Sequence, residues 1–397
     1  MSRLFLFLIA LPALAAKIPA GTELSVRLTE KIASEATAAQ TLKAVVIAPV
    51  VLDGNIALPA GAELTGEIKD LKAAADGQRA QLRLVFTRIG MGAYRSPFAA
   101  VLTGLDNSRE SVAADGLITG IDGASTYASR INQGVAKLEA SDKYAGLASL
   151  IQSVKQGLKI QDANPNIDFD PGVEFTLKLT QPLDWRGPVN GPGSALIAFP
   201  NQSALPGLVS SQPFRTVAAS PPRPSDITNL MFIGTEDELR AAFAKAGWSS
   251  AARLSSQSKL ETARALIEDR GYKEGPMSVL LLEGRPPDMS WQKGNNTFSQ
   301  RHHLRIFRRP GTFNGKPVWV CSATHDIGID YSERDRTFIH KIDSSIDKER
   351  AKVVSDLLFT GMVRSLALVD RPEIPQDATN ATGDVLTTDG RMAVVLF

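Results

Sequence analysis

The chain has 397 residues, too many for one ordinary core, so two domains are the natural expectation. With 43% hydrophobic and 22% charged residues it has the composition of a globular protein. A net charge of +2 predicts no nucleic-acid partner, since such binding needs a concentrated basic field. The single cysteine excludes an internal disulfide framework and an all-thiolate zinc site.

The first sixteen residues read as a signal peptide. Arg3 gives a short positive flank, Leu4 to Leu14 is apolar apart from Pro12, and Ala13, Ala15 and Ala16 form a small-residue cleavage pattern. The apolar run is about half of the roughly 20 residues a spanning helix needs, and polar sequence starts at Lys17. Export to a bacterial periplasm, outer-membrane surface or exterior follows as the expectation. No later stretch is long and apolar enough to span a bilayer, so no transmembrane segment is expected in the mature chain.

From 17 to 183 the pattern is mainly β. Alternation runs through Glu23 to Leu28, Glu63 to Ile68 and Gln81 to Phe86, with Asp53-Gly54, Asp76-Gly77 and Asp115-Gly116 between such runs as hairpin chemistry. One phrase recurs: Pro19-Ala20-Gly21-Thr22-Glu23-Leu24 returns as Pro59-Ala60-Gly61-Ala62-Glu63-Leu64, and Pro171 to Thr180 is a looser third copy. Proline presets the turn and glycine closes it, so each copy launches a strand. Between 126 and 160, Ile131, Val135 and Leu138 make one apolar helical stripe and Leu147, Ile151, Val154 and Leu158 another, both read as core-facing.

The order of these pieces resembles the TrbI-like β-barrel domain of type IV secretion pores. The carrying segments are Ile18 to Leu28, Ala57 to Ile68, Gln78 to Ile89, Asp115 to Gly123, the helical insertion Thr126 to Ile160, and Pro171 to Leu183. The resemblance implies a barrel with a helical insertion, and it allows homo-oligomerisation. The pore function does not come with it, because the family's transmembrane helix and Pro-rich stalk have no counterpart here.

Residues 184–224 carry eight prolines from Pro188 to Pro224 with few charges and read as a semi-extended linker, with one strand at Ala195 to Phe199. Residues 225–397 mix helix and strand. Asn229 to Ile233 is a buried strand, and Thr235 with Glu238 forms a capping box before a helix ending at Gly247. A second helix fits Lys259 to Arg270 and a long one Asp347 to Gly361. Strands fit Ser278 to Leu282, Leu304 to Phe307, Val318 to Ala323 and Met392 to Phe397. The fold class is therefore two domains: a mainly-β barrel or sandwich with a helical insertion, then an α+β domain with a mixed sheet.

This second domain resembles the LssY C-terminal-like domain. The residues that carry the likeness are the first strand and helix through Ala246-Gly247-Trp248, then Gly284-Arg285-Pro286-Pro287-Asp288 and His302-His303-Leu304-Arg305. Pro317 to Val320, His340-Lys341-Ile342-Asp343 and Asp347-Lys348-Glu349-Arg350 complete it. The family is sometimes fused to membrane phosphatases of the phosphatidic-acid type, but their Pro-Ser-Gly-His element is missing, so phosphatase activity does not transfer.

All four histidines and Cys321 fall between Arg301 and Arg350. His302 and His303 are adjacent on a strand and face opposite sides, His302 with Leu304 and Ile306 toward the core. Three readings stand side by side. One is a site of His303 or His302 with His340 and Asp343, acting as an acid/base set or as ligands of a divalent metal. A second is a structural His–Asp and Arg–carboxylate network. The third is anion binding by Arg301 and Arg305, with Arg308 and Arg309 beside them. Cys321, mid-strand, reads as a buried inert thiol. No cofactor motif is present. The function expected is a non-catalytic scaffold or interaction role at the cell envelope, with envelope proteins or lipids as partners. The alternative is a hydrolase of an envelope lipid or polymer working through His303, His340 and Asp343.

Overall fold

The computed structural model describes residues 16–37, 39–141, 143–193, 195–252, 255–332 and 337–397. The expected signal peptide, apart from Ala16, lies outside them.

The N-terminal unit is built on a nine-stranded antiparallel sheet. Its order is Ala100–Leu105, Glu174–Leu179, Glu23–Leu28, Leu42–Val46, Glu63–Lys72, Gln81–Met91, Leu117–Thr119 and Ser111–Val112, with Tyr94–Pro97 paired to Gln81–Met91. The end strands return toward each other, so the sheet is nearly closed, barrel-like. Period-2 alternation decides which side chains go inside: Leu82, Leu84 and Phe86 are buried with Leu24, Val26, Leu64, Leu177 and Trp185 in one core.

All three copies of the recurrent phrase do the same work. Gly21, Gly61 and Gly172 have φ of 85°, 89° and 103°, a region open to glycine without strain. Each glycine N–H reaches across the sheet, to Leu179 O, Val46 O and Leu28 O respectively, immediately before its strand begins.

The insertion is a pair of helices, α1 (Tyr127–Glu139) and α2 (Ala145–Gly157). Thr126 caps α1 by accepting from Ser129 N. The second stripe is not core-facing: α2 buries only Ala148, while Leu147 is 48% and Val154 51% exposed. Among the described residues, no helix is long and apolar enough to cross a membrane.

Only part of the expected linker behaves as one. Leu183–Trp185 pairs with Ala16–Ile18 in the N-terminal unit, and Ala195 to Phe199 is not a strand. From Gln202 the chain already belongs to the C-terminal unit: α3 (Leu205–Ser210) buries Leu205 and Val209, and Arg215–Ala219 pairs with Pro222–Ile227 and Leu280–Leu281. The prolines sit at turns, at the first turn of α3 and on an edge strand, where a missing N–H costs nothing.

The C-terminal sheet has eight strands. Its order is Ser249–Ser250, Met289–Lys293, Gln300–Phe313, Lys316–Ser332, Leu230–Ile233, Arg391–Leu396 and Ser365–Asp370, with Thr337–Ile342 paired to the far part of Lys316–Ser332. Leu230–Ile233 runs parallel to Arg391–Leu396 and antiparallel to Lys316–Ser332, so the sheet is mixed. Alternation again sorts the faces. Leu230 and Phe232 pack with Trp319 and Leu304 against α4 (Glu236–Lys245) and α6 (Ile346–Phe359), which supply Leu239, Phe243, Val353 and Leu357. Met231 and Ile233 face the other way, with Val320, Val394 and the α3 residues. The capping box at Thr235 and Glu238 forms as the sequence indicates, and α5 (Ser256–Ile267) completes the unit.

The two units are docked through buried charge. Arg27 and Glu174 of the barrel meet Lys293, Lys352 and Asp356 of the second unit, with Glu174 Oε1 2.7 Å from Arg27 Nη2 and 2.5 Å from Lys293 Nζ. Trp248 Nε1 donates to Asp356 Oδ2 at 2.9 Å. Burying such groups unpaired costs several kcal/mol each, so the pairing has to be complete.

Candidate functional site

One hairpin positions most of the chemistry. Gln300–Phe313 turns at Asn314-Gly315 into Lys316–Ser332, and the register sets Arg301 opposite Asp326, His302 opposite His325 and His303 opposite Thr324. Arg301, His303 and Arg305 therefore share one face with Asp326, while His302 shares the other with His325.

On the first face, Asp326 is the centre. His303 Nε2 lies 2.6 Å from Asp326 Oδ1, and Arg301 Nε is 3.4 Å from Oδ2. His340, from the neighbouring strand Thr337–Ile342, brings Nδ1 to 3.1 Å from the same Oδ2, off the line a hydrogen bond needs. Arg305 Nη1, which can only donate, stands 3.4 Å from His303 Nδ1. In the neutral ring this places the proton on Nε2, directed at Asp326. Burial works to raise the Asp326 carboxyl, but His303, His340 and Arg301 outweigh it and hold it below the usual carboxylate range. Burial, helped by Arg301 and His303 and opposed by Asp326, pushes His340 below its ordinary value, so it is a neutral base at neutral pH.

These groups line a cavity of about 880 Å³. Arg301 lies over the Phe298 ring at 4.3 Å and donates to Gln292 Oε1 at 2.7 Å. Arg305 is fixed by Ser278 O at 3.0 Å and Asp226 Oδ2 at 3.3 Å. The walls are apolar, from Met277, Val279, Leu280, Ile339 and Ile342, and Arg223 and Lys259 join the cationic lining.

Asp343 is not part of this arrangement. Residues 337–342 form a strand, and odd spacing sends position 343 to the side away from His340. Its carboxylate instead accepts from Ser345 N at 2.9 Å, just before α6. His303 and His340 thus meet at Asp326, and the three residues His303, His340 and Asp343 do not form a ligand set. The outer arginines also lie apart: Arg308 stacks on Trp319 and Arg309 pairs with Glu283 at 2.9 Å. Cys321 is fully buried, and burial pushes its thiol up.

On the opposite face, His302 bridges two carboxylates, with Nδ1 2.6 Å from Glu349 Oε2 of α6 and Nε2 2.9 Å from Asp106 Oδ2 of the barrel. Burial opposes its charge, yet Asp106 and Glu349 prevail and raise it to about 10. His325 stacks on it with ring centroids 4.2 Å apart and meets Asn107 Oδ1 at 2.7 Å. Asp106 and Asn107 were invisible to sequence reasoning, nearly two hundred residues upstream. Asp326 had a usable signal, because the Asn314-Gly315 hairpin already places it on the face of His303.

Residues 212–392 match the family model described as LssY C-terminus. The matched segment starts where α3 ends, so the match does not reach the barrel of residues 17–183. No curated protein matches the chain. The C-terminal unit, which carries all four histidines, is thus similar to the LssY C-terminus family over residues 212–392.

Proposed function

We propose that the chain is an exported envelope protein whose C-terminal domain binds an amphiphile with an anionic head group, in a non-catalytic interaction role. The supporting observation is the make-up of the 880 Å³ cavity, where, among the described residues, Lys259, Arg301 and Arg305 lie with Asp226 and Asp326 beneath apolar walls. A cationic floor suits phosphate or carboxylate, and apolar walls suit an acyl chain. The test is calorimetric titration with oleate and oleoyl-lysophosphatidate, using monooleoylglycerol as the neutral control. Both anions bind, the neutral lipid binds at least about tenfold more weakly, and Lys259→Glu and Val279→Asp each weaken the anions. Equal binding of the neutral lipid, or no effect of either variant, sinks the reading.

A second reading rests on one specific observation: neutral His340, partly exposed to the cavity beside Asp326, is placed to take a proton from water. On that reading the bound amphiphile is hydrolysed. Release of fatty acid or phosphate by the wild type and its loss in His340→Ala supports it; no release by the wild type removes it.

A further inference from the structure

Behind the cavity, on the opposite face of the same strand, Asp106, His302 and His325 each offer a ligand atom, and these atoms lie within 4.8 Å of one another. Among the described residues this is the one group of three that can hold a metal ion. We propose that the domain junction binds a divalent transition-metal ion of the zinc type through Asp106, His302 and His325, joining the barrel to the LssY domain.

Two imidazoles and one carboxylate are the donor set of zinc rather than of magnesium or calcium, which prefer all-oxygen shells. The support behind the ligands also fits. Glu349, 3% exposed, holds His302 Nδ1 at 2.6 Å, the carboxylate–histidine pairing that orients a ligating ring and leaves Nε2 for the metal. Asn107 Oδ1 does the same for His325. Glu349 Oε1 is buried without a hydrogen-bond donor, so negative potential is in surplus there.

Charge counting agrees. The junction holds carboxylates at Asp106, Glu174, Glu349 and Asp356 against the cations Arg27, Lys293 and Lys352. The proton shared by His302 and Asp106 supplies the fourth positive charge, and a divalent ion in its place keeps positive charge between these carboxylates. Asp106, 29% exposed, and His302 also line a junction cavity of about 410 Å³, which gives the ion an entry path and room for water as a further ligand.

Metal uptake by the full mature chain, stripped with chelator and titrated with Zn²⁺, tests this. The wild type takes up one equivalent by elemental analysis and calorimetry. Asp106→Asn and His325→Gln, chosen to keep shape, each lower affinity about tenfold or more, and Glu349→Gln lowers it about 10- to 100-fold. Zinc raises the melting temperature of the wild type but not of Asp106→Asn, with circular dichroism confirming that both are folded. His340→Ala keeps wild-type uptake. No stoichiometric zinc, uptake unchanged in Asp106→Asn and His325→Gln, or loss in His340→Ala alone overturns the proposal. The lipid titration involves no metal, so the two readings fail separately.

Discussion

The two faces of the strand Gln300–Phe313 carry the same residue types and use them differently. On one face His303 and His340 share a single carboxylate, Asp326, beside Arg301 and Arg305, with Asp226 paired to Arg305 and Lys259 adding positive charge. On the other, His302 is shared between two carboxylates from two domains, and without its proton the surplus is negative. An imidazole acquires its character from the ratio of carboxylates to cations around it. That is why burial and cations leave His340 neutral while Asp106 and Glu349 hold His302 charged.

The largest expected effect that sharpens this contrast is at Asp326. Asp326→Asn removes the anion that Arg301, His303 and His340 surround, and should cost about 3–5 kcal/mol in urea unfolding, the usual result of leaving a buried partner unpaired. A loss below about 1 kcal/mol would break the view of Asp326 as the centre of that face.

An intermediate effect is expected in the pH dependence. His340 has a folded-state value below its free value of about 6.5, so protons favour the unfolded chain. Its contribution is fully present above that pH and is lost as the pH falls from there through the folded value. Unfolding free energies at about pH 7 and about pH 5 should show a shallower decline in His340→Gln than in the wild type. An identical slope would remove His340 from the account. The smallest effect belongs to Asp343→Ala, about 1 kcal/mol for one hydrogen bond at the start of α6, with no change in anion binding.

Strand parity was the most legible part of the sequence. Alternation alone separated His302 from His303 and put Leu304 and Ile306 in the core, as they are. It also survives a local irregularity. Between Arg308 and Thr312 one strand advances four residues while its partner advances two, so the register slips by an even number and faces are kept. Without that slip His303 would sit directly opposite Asp326; with it, Arg301 does and His303 approaches on the diagonal. The capping box and the turn-and-strand phrases were equally local and equally readable. Asp343 was misplaced because 337–342 was not recognised as a strand, and one odd step then chose the wrong carboxylate. The linker was overdrawn because prolines at turns and edges look the same in sequence as prolines in an extended tether. Asp106 and Asp226 were unreadable for a different reason: their partners are set by docking of distant segments, which no periodicity encodes.

The hairpin at Asn314-Gly315 has a consequence for the order of assembly. Closing that single short turn brings Arg301, His303 and Asp326 together across a loop of some twenty residues. Asp106 reaches His302 only after a closure spanning 196 positions. Loop-closure entropy grows with the logarithm of length, and contacts between separately formed units also wait for both units to exist. The cavity face is therefore complete as soon as the second unit folds, whereas the junction face is finished last, when the barrel arrives to cover it.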